Sequence, residues 1–208
     1  MLKVVKLCVV TNRQLARGRS NREVVKAALA GGADLIQYRE KEASTREMIK
    51  EGRELLKLTR RAGVSLIIND RVDVALAIAA DGVHLGQDDL PLEDARRLIG
   101  SEKIIGISTH NLQEAVAAES GGADYLGFGA IFPTKTKRDS QLKGLVGLRE
   151  IKTVIKIPVL AIGGISLDNV NQVREAGADG VAVVSAIVAA PDPAAATARF
   201  KNVFKNRG

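Results

Sequence analysis

The run Phe128-Gly-Ala-Ile-Phe-Pro-Thr-Lys-Thr-Lys137 begins as an apolar strand and breaks at Pro133 into two hydroxyls alternating with two ammonium groups. Such an ending presents donors and positive charge at the C-terminal edge of a strand, the edge where ligands bind in parallel α/β folds. The chemistry implied is capture of an anion, a phosphorylated one. A solvated basic loop is the alternative.

Other polar residues gather at comparable places. Gln37-Tyr-Arg39-Glu-Lys41 follows an apolar run, and alternation in extended chain puts Gln37, Arg39 and Lys41 on one side. A guanidinium grips phosphate oxygens bidentately, and an ammonium adds a point charge. Asn69-Asp70-Arg71 and Gly86-Gln87-Asp88-Asp89 end the next two runs. Carboxylates beside cations that can hold a diphosphate suggest Mg2+, which takes one or two carboxylates, waters and phosphate oxygens. Asp70 could instead cap a helix from Val72, and Asp88 and Asp89 could form a solvated turn. Ser108-Thr109-His110 ends a fifth run, with a helix cap as its plainer reading. His84 lies within the fourth run, facing the interior or satisfied in the core. Neither histidine has an evident carboxylate partner by spacing, and no zinc-like cluster exists. Gly163-Gly164-Ile-Ser and Val184-Ser185 end the last two runs. Glycines there admit close approach of backbone N–H groups to phosphate, although a Gly-Gly pair also makes a plain tight turn.

Eight strands are needed to position these groups: 6–11, 35–39, 65–69, 82–85, 104–108, 125–131, 158–162 and 180–184. They are near-continuous apolar runs, as parallel strands buried on both faces require. Amphipathic stretches of helical length alternate with them. Ser44 with Glu47 has capping-box spacing, Ser166 precedes Asp168 and Asn169, and Pro91 is placed as a first-turn proline. Four segments share one theme, Gly31-Gly-Ala-Asp34, Ala79-Ala-Asp81, Gly121-Gly-Ala-Asp124 and Ala176-Gly-Ala-Asp179, each closing a helix and launching a strand. Eight strands and eight helices in this order close into a single (β/α)8 TIM barrel over residues 1–208, an open doubly wound sheet being the alternative. Loops after the seventh and eighth strands would hold a monophosphate. Loops two to four would hold a diphosphate and metal, with Thr134, Thr136 and Lys137 between the two sites.

Bulk properties narrow the classes. The chain has 208 residues, of which 46% are hydrophobic and only 3% aromatic, so the core is aliphatic. The net charge of +7 is spread over helix faces, with no aromatics interleaved to stack on bases, which argues against nucleic acid. The single cysteine, Cys8, sits in an apolar run and is expected as a buried hydrophobe. No apolar run is long enough to span a bilayer and no leader is visible, so a cytoplasmic protein without a membrane partner is expected.

These motifs together resemble the thiamine phosphate synthase family. The matching stretches are residues 37–41, 68–75, 80–89, 106–110, 129–137, 161–165 and 181–187, in order and nearly spanning the chain. The resemblance implies condensation of 4-amino-2-methyl-5-(diphosphomethyl)pyrimidine with 4-methyl-5-(2-phosphoethyl)thiazole, giving thiamine phosphate and diphosphate. It implies that Gln37, Arg39, Lys41 and Asn69 line the pyrimidine diphosphate site, with Ser108 near the pyrimidine and Lys137 on the diphosphate. Arg39, Lys41, Ser108 and Lys137 would carry the chemistry. Asp70 and Asp89 would hold Mg2+. Thr134 and Thr136 would meet the thiazole phosphate, with Gly164, Val184 and Ser185 donating to it. Asp88 stands where the family often has Glu, and residues 138–145 would form a cover. The sequence also permits a homo-oligomer.

Two other functions share parts of this constellation. A thiazole phosphate tautomerase would need the monophosphate site and an acid–base residue, but no diphosphate–metal site. A non-catalytic phosphometabolite or nucleic-acid binder would need only the basic charge.

Overall fold

The computed structural model describes residues 5–134 and 142–205. Eight parallel strands close on themselves: β1 (Leu7–Val10), β2 (Leu35–Tyr38), β3 (Ser65–Asn69), β4 (Gly82–Leu85), β5 (Ile104–Thr109), β6 (Tyr125–Gly129), β7 (Val159–Ile162) and β8 (Gly180–Val183). Closure is made by β1 on β8, with Leu7 opposite Val181 and Val9 opposite Val183. Around them lie α1 (Asn21–Ala30), α2 (Thr45–Ala62), α3 (Val72–Ile78), α4 (Leu92–Ile99), α5 (Leu112–Ser120), α6 (Gly144–Val154), α7 (Val170–Glu175), α8 (Ser185–Val188) and α9 (Pro193–Lys205). The expected TIM barrel is therefore present. Among the described residues there are nine α-helices where eight were expected, because α8 is a single turn too short to carry a periodic signal. No helix of the described residues is long and apolar enough to cross a membrane.

Every residue of β1, β2, β4, β6 and β8 is buried, which is why these strands show no apolar–polar alternation. One side packs on the helices through an aliphatic layer that includes Leu7, Ile36, Leu55, Val83 and Leu148. The other side fills the barrel with a smaller cluster of Cys8, Val10, Leu35, Ile67, Tyr125 and Leu160. Cys8 is fully buried, and burial pushes its thiol up to about 12, so it is an inert hydrophobe as expected. Tyr125 is the one large ring in that interior cluster. It fits because Gly106 lies across from it on β5, where a Cβ would come within 2.1 Å of the ring.

The four-fold Gly/Ala-Asp theme has one structural meaning. Asp34, Asp81, Asp124 and Asp179 each precede an even-numbered strand, and each clamps the start of the strand before it. The Asp34 carboxylate accepts the N–H groups of Lys6 and Leu7 at 2.9 and 3.0 Å. Asp81 accepts Leu66 N–H at 2.8 Å, Asp124 accepts Ile105 N–H at 2.8 Å, and Asp179 accepts Val159 N–H at 2.9 Å. In return each Asp backbone N–H donates to the carbonyl of Leu7, Leu66, Ile105 or Val159. Lys201, Arg96 and Lys152 pair with Asp34, Asp124 and Asp179 respectively. These clamps sit at the N-terminal ends of the strands, the face that holds such a barrel together rather than the face that does chemistry.

Helix starts follow the expected chemistry in part: Pro91 stands one residue before α4 rather than in its first turn, and Ser166 lies four residues before α7, which has no side-chain cap. Ser44 and Glu47 form a full capping box, and so do Ser20 and Glu23 on α1. Asn111, not Ser108, caps α5. Asp70 caps nothing: α3 begins after Arg71 with no side-chain cap.

Candidate active site

The C-terminal ends of the strands surround a cavity of about 390 Å³. Gln37, Arg39, Lys41, Asn69, Asp70, Asp89, Ser108, Thr134, Gly164, Val184 and Ser185 all line it. Those are all of the expected site residues that lie among the described residues. Thr136 and Lys137 lie outside them, as does 138–141 of the expected cover. Strand parity explains the convergence. Gln37, Asn69, His84 and Ser108 lie in register with the inward positions Leu35, Ile67, Gly82 and Gly106 on the same strands, so their side chains enter the barrel mouth.

On one side of the mouth stand the cations of the loop after β2. Thr11 holds the Arg39 backbone twice: its hydroxyl accepts Arg39 N–H at 2.9 Å and donates to the Arg39 carbonyl at 3.2 Å. The Lys41 ammonium pairs directly with Asp70. Asp70 sits at φ +62°, in the left-handed region that an aspartate tolerates better than most residues. Its backbone N–H donates to the His84 carbonyl at 2.8 Å, which fixes the loop after β3 to β4. Asp89 accepts Gly86 N–H at 2.7 Å.

The two carboxyls interact and titrate in opposite directions. Partial burial opposes charge on Asp70, but hydrogen bonds from Lys41 and Asp89 and the charges of Lys41 and Arg39 outweigh it and hold Asp70 below the usual range. Burial raises Asp89; the Gly86 N–H works against that rise, and the neighbouring Asp70 adds to it. The opposite shifts are what two close carboxyls show when cations sit nearer to one of them. Two carboxyls on adjacent strand ends that line one cavity form a donor set that a divalent cation with free coordination positions fits. Lys41 and Arg39 beside them add room for an anion that bridges to that cation.

Ser108 stands over the barrel interior. Its hydroxyl lies 2.9 Å from His84 Nε2, and His84 Nδ1 lies 3.0 Å from the Tyr125 hydroxyl. Burial pushes Tyr125 well above its ordinary value and keeps it neutral, with the nearby Gln37 working against that rise. Gln87 donates to the Ser108 carbonyl at 2.6 Å. His84 is therefore a structured part of the cavity wall rather than a core filler. His110, contrary to the sequence expectation, has a carboxylate partner: Nδ1 lies 3.0 Å from Glu114. His110 immediately precedes the Asn111 cap and Glu114 lies in the first turn of α5, so the cap brings them together.

Across the mouth, strands β7 and β8 supply the second group. Gly163 and Gly164 both have positive φ, and a Cβ on Gly164 would come within 2.5 Å of the Pro133 carbonyl oxygen. This glycine pair is thus required by loop packing as well as by access to the cavity. Val184 and Ser185 enter the one-turn α8 with their N-terminal end at the cavity. Because β3 and β7 are diametrically opposed in an eight-strand barrel, the two groups face each other across the mouth.

Known proteins resemble this chain over nearly its whole length. The family profile described as thiamine monophosphate synthase matches residues 7–187. The thiamine-phosphate synthase of Chloroflexus aurantiacus is 59% identical over 197 residues, covering 94% of this chain and 91% of that protein. That of Pyrococcus horikoshii is 49% identical over 201 residues, covering 97% and 95%. The solved structure of thiamine phosphate pyrophosphorylase from Pyrococcus furiosus superposes with a TM-score of 0.90 at 47% identity, covering 97% of this chain and 96% of that one. With the family profile matching residues 7–187 and identity of this size running almost end to end, the chain belongs to the thiamine monophosphate synthase family.

Proposed function

We propose that this chain, acting as one catalytic domain, is a thiamine phosphate synthase. It joins the pyrimidine diphosphate to the thiazole phosphate named above and releases diphosphate. The observation that carries the reading is the pairing of two anion-binding groups on opposite sides of one cavity, Arg39 and Lys41 with Asp70 and Asp89 against Gly164, Val184 and Ser185.

The reaction needs no strong general base. The C–O bond between the pyrimidine methylene and the diphosphate breaks, and its electron pair leaves on diphosphate oxygen. The 4-amino group of the pyrimidine stabilises the benzylic-type cation. The thiazole nitrogen lone pair then forms the C–N bond, and no proton has to move. The protein's part is to hold the two rings together and to neutralise the leaving group. Arg39 binds diphosphate oxygens through its fork, Lys41 and Lys137 add charge, and Gln37 and Asn69 hold the same substrate. Ser108 directs its hydroxyl at the pyrimidine. Thr134, Thr136, Gly164, Val184 and Ser185 hold the thiazole phosphate. Asp70 and Asp89 would hold Mg2+, which when bound sets two positive charges against the departing diphosphate.

The test is to incubate the protein with both substrates and Mg2+ and to measure thiamine phosphate and diphosphate together. Equal amounts of the two, dependent on Mg2+, are expected. Isomerisation of a thiazole phosphate with no diphosphate release would overturn the reading.

A further inference from the structure

Between the cavity-lining Arg39 and Lys41 the chain places an acidic residue, Glu40. A carboxylate inside an anion-binding loop weakens that loop unless its charge is answered. It is answered away from the cavity. The Glu40 side chain is only 5% exposed, and Oε2 accepts Arg13 Nε at 3.0 Å. Its other oxygen accepts the backbone N–H groups of Lys41 at 2.9 Å and Glu42 at 3.2 Å. Arg13 is itself anchored: Nη2 donates to both oxygens of Glu51, at 3.1 and 3.3 Å. Glu51 on α2 also accepts the Tyr38 hydroxyl at 2.7 Å and the Asn21 amide at 3.0 Å. A continuous set of charge-assisted bonds thus runs from α1, α2 and β2 through Arg13 to the backbone of the anion-binding loop.

We propose that Glu40 and Arg13 are positioning residues for diphosphate recognition. The Glu40–Arg13 tie fixes the backbone at residues 40–42, so that Arg39 and Lys41 meet the diphosphate already ordered. Arg13 also cancels the charge that Glu40 would otherwise bring against the anion. Neither residue touches substrate. This inference rests on the reading of loop two as the diphosphate site. It predicts that the tie matters for one anion site and not for the other, which a general structural role does not.

The experiment titrates inorganic diphosphate with Mg2+, and separately 4-methyl-5-(2-phosphoethyl)thiazole, into wild type, Glu40→Gln, Arg13→Ala, Arg13→Lys and the Glu40→Gln/Arg13→Ala double variant by calorimetry. Glu40→Gln keeps an acceptor for the loop N–H groups but turns an amide donor toward Arg13. Diphosphate binding is expected to weaken by roughly five- to thirty-fold, the ordering of one or two long side chains. Thiazole phosphate binding should stay within error of wild type, while the thermal midpoint should fall by a few degrees because the nearly buried Glu40 loses its charged pairing. Arg13→Ala, on the exposed side of the tie, should show the same selective loss, and Arg13→Lys should recover part of it. The double variant should be no weaker than the worse single. Unchanged diphosphate binding, equal loss at both anion sites, or multiplicative losses in the double would overturn the inference. If Glu40→Gln does not fold, Arg13→Ala alone decides the matter. Wild-type protein that binds diphosphate but forms no thiamine phosphate would overturn the proposed reaction and leave the tie tested in its own right. Wild-type protein that binds no diphosphate would remove both.

Discussion

The Ser108 hydroxyl lies 2.9 Å from His84 Nε2, at the end of a chain that begins with the buried Tyr125. In the tautomer that carries its proton on Nε2, His84 accepts the Tyr125 O–H at Nδ1 and donates Nε2–H to Ser108. The Ser108 hydrogen is then directed into the cavity, where a pyrimidine ring nitrogen or leaving oxygen can accept it.

Breaking this chain should therefore act on turnover through Ser108. Ser108→Ala is expected to lower kcat by roughly ten- to a hundred-fold, about 1.4–2.7 kcal/mol. Tyr125→Phe should lower it less, by about three- to ten-fold, and should reduce stability by about 1–3 kcal/mol because His84 loses a buried partner. In the double variant the turnover losses should fall well short of their product. Steady-state kinetics on the three variants checks this, and fully multiplicative losses would separate Tyr125 from the site.

The Asp clamps at the opposite face make a different prediction. Asp124→Ala removes the acceptor for Ile105 N–H and the partner of Arg96. The expected loss is about 2 kcal/mol. For a chain of this size that is roughly 4–8 °C in Tm. At 25 °C, kcat and both KM values should stay near wild type, since the clamp lies at the far end of the strands. A changed KM with unchanged Tm would contradict the division of labour between the two faces.

Much of this fold was legible because its signals are local. Parallel strands buried on both sides must be apolar throughout, and the Asp of each helix-to-strand turn recurs with its small neighbours. The convergence of Gln37, Asn69 and Ser108 followed from strand parity once the order of elements was known. What stayed hidden depended on contacts distant in sequence. Nothing near Glu40 points to Arg13, and nothing near Tyr125 announces His84. The α8 turn was missed because one turn has no period. The His110–Glu114 pair was missed although its spacing is a plain helical one, because the helix start was placed without regard to the side chains it would bring together.

The monophosphate side separates packing from recognition. Gly164→Ala should reduce stability and activity together, since its φ of +63° and the Pro133 carbonyl leave no room for a Cβ. Ser185→Ala removes only a hydroxyl at the mouth of α8. It is expected to raise KM for the thiazole phosphate by about three- to ten-fold, losing about one hydrogen bond to a charged group, with KM for the pyrimidine diphosphate unchanged. Initial rates with each substrate varied in turn decide it, and equal effects on both KM values would remove Ser185 from the phosphate site.

The carboxylate pair gives the test that best separates this reading from its rivals. Asp70 and Asp89 follow neighbouring strands, and the charge of Asp70 is one cause of the rise at Asp89. Asp70 is held in a left-handed conformation at the cavity wall and does not cap a helix. If both carboxylates hold one Mg2+, Asp70→Asn and Asp89→Asn should each fold and each lose activity by roughly a hundred-fold or more, the scale of one lost charge-stabilising contact. Each should also need more Mg2+ for half-maximal rate. The double variant should be little worse than the weaker single, because groups that act as a unit are not additive. Thiazole phosphate binding, on the far side of the mouth, should survive in all three. Rate against Mg2+ concentration for wild type, both singles and the double measures this directly. Full wild-type activity in excess chelator, or multiplicative losses at every Mg2+ level, would show that the two carboxylates do not share an ion.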